Sequence, residues 1–259
     1  MKVALRFDGV SAAYGSRAVL RNASAHLTAG LVTGVVGPNG AGKTTLFRTA
    51  LGLLPAASGI ITLLDNPLSH WSREGIARSI AYLAQGAEAH WPIVARRLVA
   101  LGRLPHRGGF GPLREADLTL VDEALARCDA SPFAERPVDE LSAGERARVL
   151  LARALATAAP VLLADEPAAH LDPAHQIRLM ELLRDEAARG TAVGVTLHDL
   201  SLAARYCDEI VVIDNGAVVA QGTPEETLTG ARLASVFGIR ADRGADAHGR
   251  ATLSVLGRV

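Results

Sequence analysis

The sequence has few cysteines, no net charge and no long apolar run, and each shortage excludes a class of protein. The two cysteines, Cys128 and Cys207, lack metal-type spacing, which predicts a reducing compartment without a disulfide framework. Basic and acidic residues each number 27, so we expect no general attraction to nucleic acid or anionic lipid. No stretch reaches the roughly 18 apolar residues of a spanning helix, and the apolar run in residues 1–10 is too short for a secretory signal.

What the chain does contain is enough apolar sequence for a sizeable core, arranged as alternating strands and helices. Hydrophobic residues make up 49% of 259 positions. Residues 3–7 alternate as a strand does, and residues 30–54 are typical of a strand, a glycine loop and a helix. Further strand patterns lie in 58–65, 79–86, 160–167, 191–199 and 209–222, the last with a hairpin signal at Asn215-Gly216. The alternation predicts an α/β fold with a mainly parallel sheet flanked by helices.

The character of the sequence changes in residues 87–155. Helical stretches such as "ADLTLVDEALARC" are separated there by "GRLPHRGGFGPL", whose glycine and proline content predicts a loop. We therefore predict one domain in three parts. Residues 1–86 and 156–222 form its core, 87–155 form an inserted helical subdomain, and 223–259 form a C-terminal tail that is helical at first.

A phosphate-binding loop is predicted at "GPNGAGKT", residues 37–44, which fits G-x-x-x-x-G-K-[ST] between a strand and a helix. Glycines let backbone N–H groups converge on phosphate oxygens, and the following helix adds its positive N-terminal end. Lys43 can reach the β- and γ-phosphates, the Thr44 hydroxyl can coordinate Mg²⁺, and Thr45 can donate to a phosphate oxygen. The alternative is a glycine-rich turn with a chance lysine. The predicted nucleotide-binding residues here are Gly37, Pro38, Asn39, Gly40, Ala41, Gly42, Lys43, Thr44 and Thr45.

An apolar run that ends in two carboxylates, "VLLADE" at 161–166, supplies candidates for a Mg²⁺ ligand and a general base beside the phosphate-binding loop. At the end of a strand the backbone turns away, so both side chains can reach one site. Asp165 would hold Mg²⁺, mostly through water, and Glu166 would act as general base on the attacking water. Alone, such a run is often only the end of a strand.

The stretch "LSAGER", residues 141–146, has two interpretations. Ser142 and Glu145 have the spacing of a capping box, in which each side chain bonds the backbone N–H of the other residue. The same helix start also exposes amides that can bind an anion. Both interpretations can hold together.

These motifs, in the order "GPNGAGKTT", "LSAGER", "VLLADEP", "HLD" and "TLHD", resemble those of the ATP-binding-cassette ATPases, to about residue 225. The resemblance implies an N-terminal antiparallel β part, ATP and Mg²⁺ as cofactors, and a homodimer of two copies that meet head to tail. The signature of one copy would then close over the ATP of the other. That signature is L-S-G-G-Q in the family, and here Ala143 replaces a glycine and Glu145 a glutamine; we expect both to be tolerated because Ser142 and Gly144 match.

The resemblance assigns four further positions, each with a plainer alternative. Tyr14 matches the aromatic that stacks on adenine, although a half-buried tyrosine at a strand end is the alternative. Gln85 matches the glutamine that contacts Mg²⁺ or water, and His198 the histidine that contacts the γ-phosphate; either could be an ordinary surface residue. Asp172 matches the aspartate of the dimer interface, with Pro173 starting the next helix. Other histidines, among them His90, His106, His170 and His175, are interpreted as surface or interface residues.

A cassette of this kind is expected to drive a separate integral membrane permease from the cytoplasmic face of the inner membrane, as a peripheral subunit. The segments 99–107, 171–176 and 222–239 resemble those of bacterial importers for iron–siderophore, haem and cobalamin, which also use a periplasmic or lipid-anchored substrate-binding protein. Arg97 and Arg103 are predicted to border the permease groove. The alternatives are an exporter ATPase, a soluble non-transport cassette protein, and a P-loop kinase.

Overall fold

The computed structural model describes residues 2–86, 92–107, 112–246 and 249–259. His90 and the predicted boundary at residue 87 lie outside the described residues, as does part of the predicted loop 102–113.

The strands of the described residues follow the apolar runs of the sequence. Their bounds are β1 Val3–Tyr14, β2 Arg17–Thr28, β3 Val32–Val36, β4 Ser58–Leu63, β5 Asn66–Pro67, β6 Ile80–Leu83, β7 Val161–Asp165, β8 Ala192–Thr196, β9 Glu209–Asp214, β10 Ala217–Gly222, β11 Ile239–Ala245 and β12 Ala251–Arg258.

The helices lie between these strands and in the middle of the chain. Their bounds are α1 Lys43–Ala50, α2 Arg73–Ser79, α3 Ala95–Ala100, α4 Glu115–Arg127, α5 Ala143–Leu155, α6 Pro173–Ala188, α7 Leu200–Tyr206, α8 Pro224–Thr227 and α9 Gly230–Phe237, with short 3₁₀ turns at Leu68–His70, Leu101–His106, Ser131–Phe133 and Val138–Glu140.

A six-stranded sheet in the order β10-β9-β3-β8-β7-β6 carries the centre of the molecule. Neighbours from β9 to β6 pair in parallel, and only β10 pairs antiparallel within this sheet. Strands β3, β7 and β8 are buried along their whole length, as expected for parallel strands covered on both faces. The predicted α/β class with a mainly parallel sheet is therefore confirmed.

A second, antiparallel sheet in the order β2-β1-β4-β5 covers α1, and it confirms the expected antiparallel β part. The sequence patterns identified only the beginning of β1 and did not identify β2. The hairpin predicted at Asn215-Gly216 is present, because these two residues connect β9 to β10 and both have positive φ.

One prediction in the helical region is wrong. The segment 102–113 was expected to be a loop with Arg103 at a permease groove, but Leu101–His106 is a 3₁₀ helix and Arg103 is 5% exposed. The guanidinium donates to Oδ1 of Asp117 at 3.0 Å and to the carbonyl oxygen of Ala156 at 2.9 Å. A basic residue in a glycine-rich segment suggested a solvated position, whereas a buried carboxylate from α4 draws this side chain inward. Arg97 is exposed on α3.

The C-terminal tail begins with α8 and α9, as predicted, and then forms the hairpin of β11 and β12. This hairpin packs on α7, where the Ser201 hydroxyl donates to the carbonyl oxygen of Leu253 at 2.8 Å. Arg243 also donates to backbone carbonyls of the α8 segment.

Both cysteines are buried as free thiols, Cys128 at 0% and Cys207 at 5% exposure. Burial raises the pKa of Cys128 to about 12 and also raises that of Cys207. Among the described residues, none of the helices combines the length and apolarity needed to cross a bilayer.

Candidate functional site

The glycine loop lies between β3 and α1, at the carboxyl end of the parallel sheet. Gly40 has φ of +79° with open space where a side chain would stand, so its backbone conformation is what favours glycine. Gly37 is close-packed instead, because a Cβ there would lie 2.1 Å from the carbonyl oxygen of Ile213.

Gly42 forms the N-cap of α1, and Thr45 is buried in its first turn. Pro38 and Asn39 form the more exposed rim of the loop, while Ala41 is buried.

Lys43 is held inside this loop, 5% exposed. Its Nζ donates to the carbonyl oxygens of Gly37 at 2.9 Å and Pro38 at 3.2 Å. Burial lowers the pKa of Lys43, and the nearby Glu166 and Asp165 oppose that shift. The ammonium is thus positioned over the loop by backbone acceptors, where phosphate oxygens can replace them.

Asp165 is fully buried at the end of β7 and is held by hydroxyl groups from three elements. Thr44 donates to its Oδ1 at 3.2 Å, Thr196 donates to the same oxygen at 2.7 Å, and Tyr82 donates to Oδ2 at 3.3 Å. Burial and the adjacent Asp165 raise the pKa of Tyr82 to about 12, so it remains a donor. Hydroxyl and carboxylate oxygens are the hard ligands that Mg²⁺ prefers, and Thr44 with Asp165 therefore fits this ion.

Glu166 lies between Gln85 and His198. The Nε2 of Gln85 is 2.5 Å from Oε2 of Glu166, and Nε2 of His198 contacts its Oε1. Glu166 adopts φ of +49°, a conformation uncommon for residues with a side chain, and its N–H donates to the Thr196 hydroxyl at 2.7 Å. The turn at this residue brings two adjacent carboxylates to one site. In this structure Gln85 and His198 both contact Glu166.

Tyr14 lies beside the loop with 43% of its surface exposed. Its hydroxyl accepts a hydrogen bond from Arg48 at 3.1 Å, which holds the ring at the mouth of a cavity of about 360 Å³. Thr44, Gln85 and Asp165 also line that cavity. The exposed ring can therefore stack on a planar base whose phosphates extend toward the glycine loop.

The segment 141–146 is a helix start with the predicted capping box. Ser142 is the N-cap of α5, its Oγ accepts from the Glu145 N–H at 3.3 Å, and the Ser142 N–H donates to Oε2 of Glu145 at 2.8 Å. Arg136 pairs with the other carboxylate oxygen at 3.4 Å. The backbone and side-chain hydrogen bonds with Ser142 lower the pKa of Glu145. Its negative charge is therefore stabilised within the capping box and by the neighbouring Arg136.

Ala143 lines a cavity together with Gln85 and Glu166, which brings the start of α5 to the rim of the site. Within the described ranges, residues 141–145 form no hydrogen bond with the glycine loop 37–45. Asp172 is the N-cap of α6, and Pro173 is the first residue of that helix, as predicted. Hydrogen bonds from the backbone and ring of His175 lower the pKa of Asp172.

Three residues of this site were missed from the sequence, namely Tyr82, Thr196 and Arg48. Thr196 pairs with Asp165 in the register of β7 and β8, so a hydroxyl residue at the end of an apolar strand was the available signal. Tyr82 lies on β6 in register with Leu163, two residues before Asp165, whereas Arg48 carries no local signal because its partner Tyr14 is 34 residues away.

Comparison with known proteins identifies the family to which these features belong. The ABC transporter family matches residues 20–169. The cobalamin import ATP-binding protein BtuD of Halobacterium salinarum is 42% identical over 254 residues, which are 97% of this chain and 63% of that protein. The hemin import ATP-binding protein HmuV of Pseudomonas aeruginosa is 43% identical over 91% of this chain and 92% of its own length. The chain belongs to the ABC transporter family, and it spans less than two thirds of the BtuD relative.

Solved structures agree with this assignment at the level of the fold. A chain described as an inward-facing conformation of a metal-chelate type ABC transporter matches with a TM-score of 0.85 at 22% identity, covering 100% of this chain and 98% of its own. The cbiO1 protein of Clostridium perfringens, part of the ABC transporter complex cbiONQ, matches with a TM-score of 0.76 at 28% identity over 87% of this chain and 90% of its own.

Proposed function

We propose that this protein is the ATP-hydrolysing subunit of a bacterial ABC importer, in which two copies close head to tail on ATP and drive a separate membrane permease. The observation that carries the proposal is the position of Glu166. Its carboxylate adjoins the buried Asp165–Thr44 pair and contacts both Gln85 and His198. A general base beside a phosphate loop can activate an attacking water for phosphoryl transfer, and ATP turnover in the absence of any acceptor would exclude a kinase.

The residues of the site divide the tasks of this mechanism, and Gln85 has two of them. Lys43 exchanges its backbone acceptors for the terminal phosphate oxygens, and Tyr14 stacks on the base. Glu166 accepts the proton of the attacking water, while His198 and Gln85 orient that water and move from Glu166 toward the phosphate. Thr44, Asp165 and Gln85 would hold Mg²⁺, which supplies neutralisation of the phosphate charge.

The dimer completes this site in the proposal. Ser142 and the amides around Ala143 and Gly144 form a helix N-terminus that caps the γ-phosphate of the other copy, and Asp172 lies at the same interface. The predicted parts act together as one domain, with 1–86 and 156–222 as its core, 87–155 as the helical subdomain and 223–259 as the tail.

We propose that the permease docks in a groove formed by α2, the loop that follows α1 and the 3₁₀ helix that follows α3. The groove encloses about 560 Å³ and is lined by Leu53, Ile76, Leu101 and Arg153, among others. Leu53 is 68% exposed and Leu101 43% exposed, so this one groove presents two leucine side chains that a partner could cover. Arg153 is a basic residue among these apolar lining residues, so a permease segment with apolar side chains and an acidic residue would complement this surface.

The cargo is proposed to be an iron–siderophore, haem or cobalamin, since relatives named for hemin and cobalamin import share 42–43% of the sequence. The subunit would act peripherally at the cytoplasmic face of the inner membrane. A periplasmic or lipid-anchored substrate-binding protein would supply the cargo without touching this chain.

The test is Glu166→Gln, which keeps the shape and removes the base. Turnover should fall at least ~100-fold, the usual contribution of a general base, while ATP binding persists and a dimer accumulates in size-exclusion chromatography with saturating ATP and Mg²⁺. A variant that stays monomeric under these conditions, or retains turnover, contradicts the proposal. Cysteines at Leu53 and Leu101 should cross-link to a copurifying membrane subunit.

A further inference from the structure

The 3₁₀ helix Leu101–His106 forms one wall of the groove assigned above to the permease, and the C-terminal end of α5 forms its floor. Leu101 and Pro105 line the groove from the wall, whereas Arg153 and Thr157 line it from the floor. A partner that fills the groove would contact both elements. What joins the wall to the floor therefore decides whether they move together.

Arg103 joins these two elements inside the molecule, where it is 5% exposed. Its Nη1 donates to the carbonyl oxygens of Ala156 at 2.9 Å and Thr157 at 3.2 Å, just past the last residue of α5. The last carbonyl groups of a helix lack partners within the helix and form the negative end of its dipole. The guanidinium supplies these carbonyls with both hydrogen bonds and a positive charge.

The same guanidinium is also held by α4. Its Nε donates to Oδ1 of Asp117 at 3.0 Å, and Asp117 is 1% exposed. Because both charges are buried, turning Arg103 away would leave a carboxylate or a guanidinium unpaired in the interior, which is strongly unfavourable. Burial thus fixes this side chain in one position.

Gly102 shows that the wall and α5 also meet through their backbones. A Cβ built on Gly102 would lie 2.1 Å from the carbonyl oxygen of Arg153 and 3.0 Å from Cβ of Ala156. The nearest of these atoms belongs to the backbone of α5, which cannot swing aside as the end of a side chain can. His106 adds a further contact, since its Nε2 lies 2.8 Å from the carbonyl oxygen of Thr157.

The other end of α5 is the one that the proposed function places against the nucleotide of the second copy. The helix runs from Ala143 to Leu155, about 20 Å at 1.5 Å per residue, and Ser142 caps its start. We propose that Arg103 is a positioning residue that holds the groove wall on α5, so that an occupant of the groove displaces the Ser142 end of the helix. The consequence for turnover rests on the proposed function, whereas the junction stands on the single chain.

The test places a bulky apolar group in the groove of the full chain, by reacting Leu101→Cys with pyrene maleimide. Cys128 and Cys207 are buried free thiols and leave the introduced cysteine as the fast-reacting position. Labelling should lower ATP turnover at least ~5-fold, the lower end of the usual coupling between two sites. It should also change amide hydrogen exchange in the peptide 141–148, which reports on the start of α5 without ATP.

Both responses should disappear in Arg103→Met/Asp117→Asn, which removes the two buried charges together so that neither is left unpaired. Arg103→Lys is the second variant. Its compact ammonium keeps a cation for Asp117 but lacks the planar fork that reaches the two carbonyls, so the variant should fold and show a smaller response. Arg97→Met is the matched control, because Arg97 is exposed on the neighbouring α3, and it should keep both responses.

Responses that persist in Arg103→Met/Asp117→Asn overturn the proposal, because the label would then act on α5 by another route. An unchanged exchange pattern in labelled Leu101→Cys also overturns it, and unchanged turnover overturns the link to the active site. If the parent chain has no ATP turnover, the proposed function fails. The exchange measurement then decides by itself whether the junction transmits a displacement along α5.

Discussion

The hydroxyl of Thr196 donates a hydrogen bond to Oδ1 of Asp165 at 2.7 Å and accepts one from the Glu166 N–H at the same distance. One buried side chain on β8 therefore bonds the carboxylate of Asp165 and the backbone of Glu166. The Thr196 hydroxyl fixes Oδ1 of Asp165 and the positive-φ backbone turn at Glu166. The mutual geometry of the two acids thus depends on a buried residue that lines neither of the two cavities beside them.

We expect Thr196→Val to reduce turnover ~10-fold, because the same-sized side chain leaves the Asp165 oxygen and the Glu166 N–H without this partner. The free energy of unfolding should fall by about 2 kcal/mol in urea titrations, as is usual for a buried polar group left unsatisfied. Thr33→Val is the matched control on neighbouring β3. The Thr33 hydroxyl is buried with no hydrogen-bond partner among the described residues, so its removal should leave turnover intact and not lower stability.

Lys43→Ala should abolish detectable ATP binding at concentrations that saturate the parent. Hydrogen bonds to a charged group contribute about 1.5–3 kcal/mol each, or about 10- to 100-fold in affinity. Lys2→Ala is the natural control, because Lys2 and Lys43 are the chain's lysines and Lys2 pairs with Asp65 in an exposed position at 2.8 Å. Equilibrium titration with a fluorescent ATP analogue separates the two. Equal affinities in the two variants would contradict the assignment.

Ala143→Gly should change ATP turnover by less than tenfold, which is about 1.4 kcal/mol in the barrier. Ala143 is exposed at the helix start, and its amide and that of Gly144 keep the same direction in either variant. Steady-state turnover of the purified variant measures this directly. A gain above tenfold would show that the methyl group obstructs the nucleotide.

The buried pair of Asp117 and Arg103 should make stability depend on pH in acid. Hydrogen bonds from Arg103 lower the pKa of Asp117 to about 2, below the value of the unfolded chain, so the unfolded state takes up its proton first. The contribution is complete above about pH 4 and is lost as the pH falls toward 2. The stability difference between the parent and Asp117→Asn in urea titrations should therefore shrink from pH 5 to pH 3.

Glu115→Gln removes an exposed carboxyl from the same helix and controls for charge alone. Parallel curves for the parent and Asp117→Asn across that range would exclude a role for the pair in acid stability.

Local motifs predicted the parts of the site that are contiguous in sequence, and packing decided the rest. The loop before Lys43 and the capping box of Ser142 depend on neighbours within six residues, so their spacing was sufficient. Thr196 and Tyr82 reach Asp165 only through strand register, which a single sequence does not specify. Arg103 was misplaced for the same reason, since its partner lies 14 residues away on another helix.

The two buried thiols make the native protein a convenient background for site-directed labelling. A maleimide reacts with the thiolate, and Cys128 and Cys207 are both inaccessible and held in the protonated form. A cysteine introduced at exposed Leu53 would be the single fast-reacting position, without a cysteine-free parent. That parent is worth avoiding, because the buried Cys207 side chain fills the space beside Gly34 of β3, and a smaller replacement would leave a cavity there.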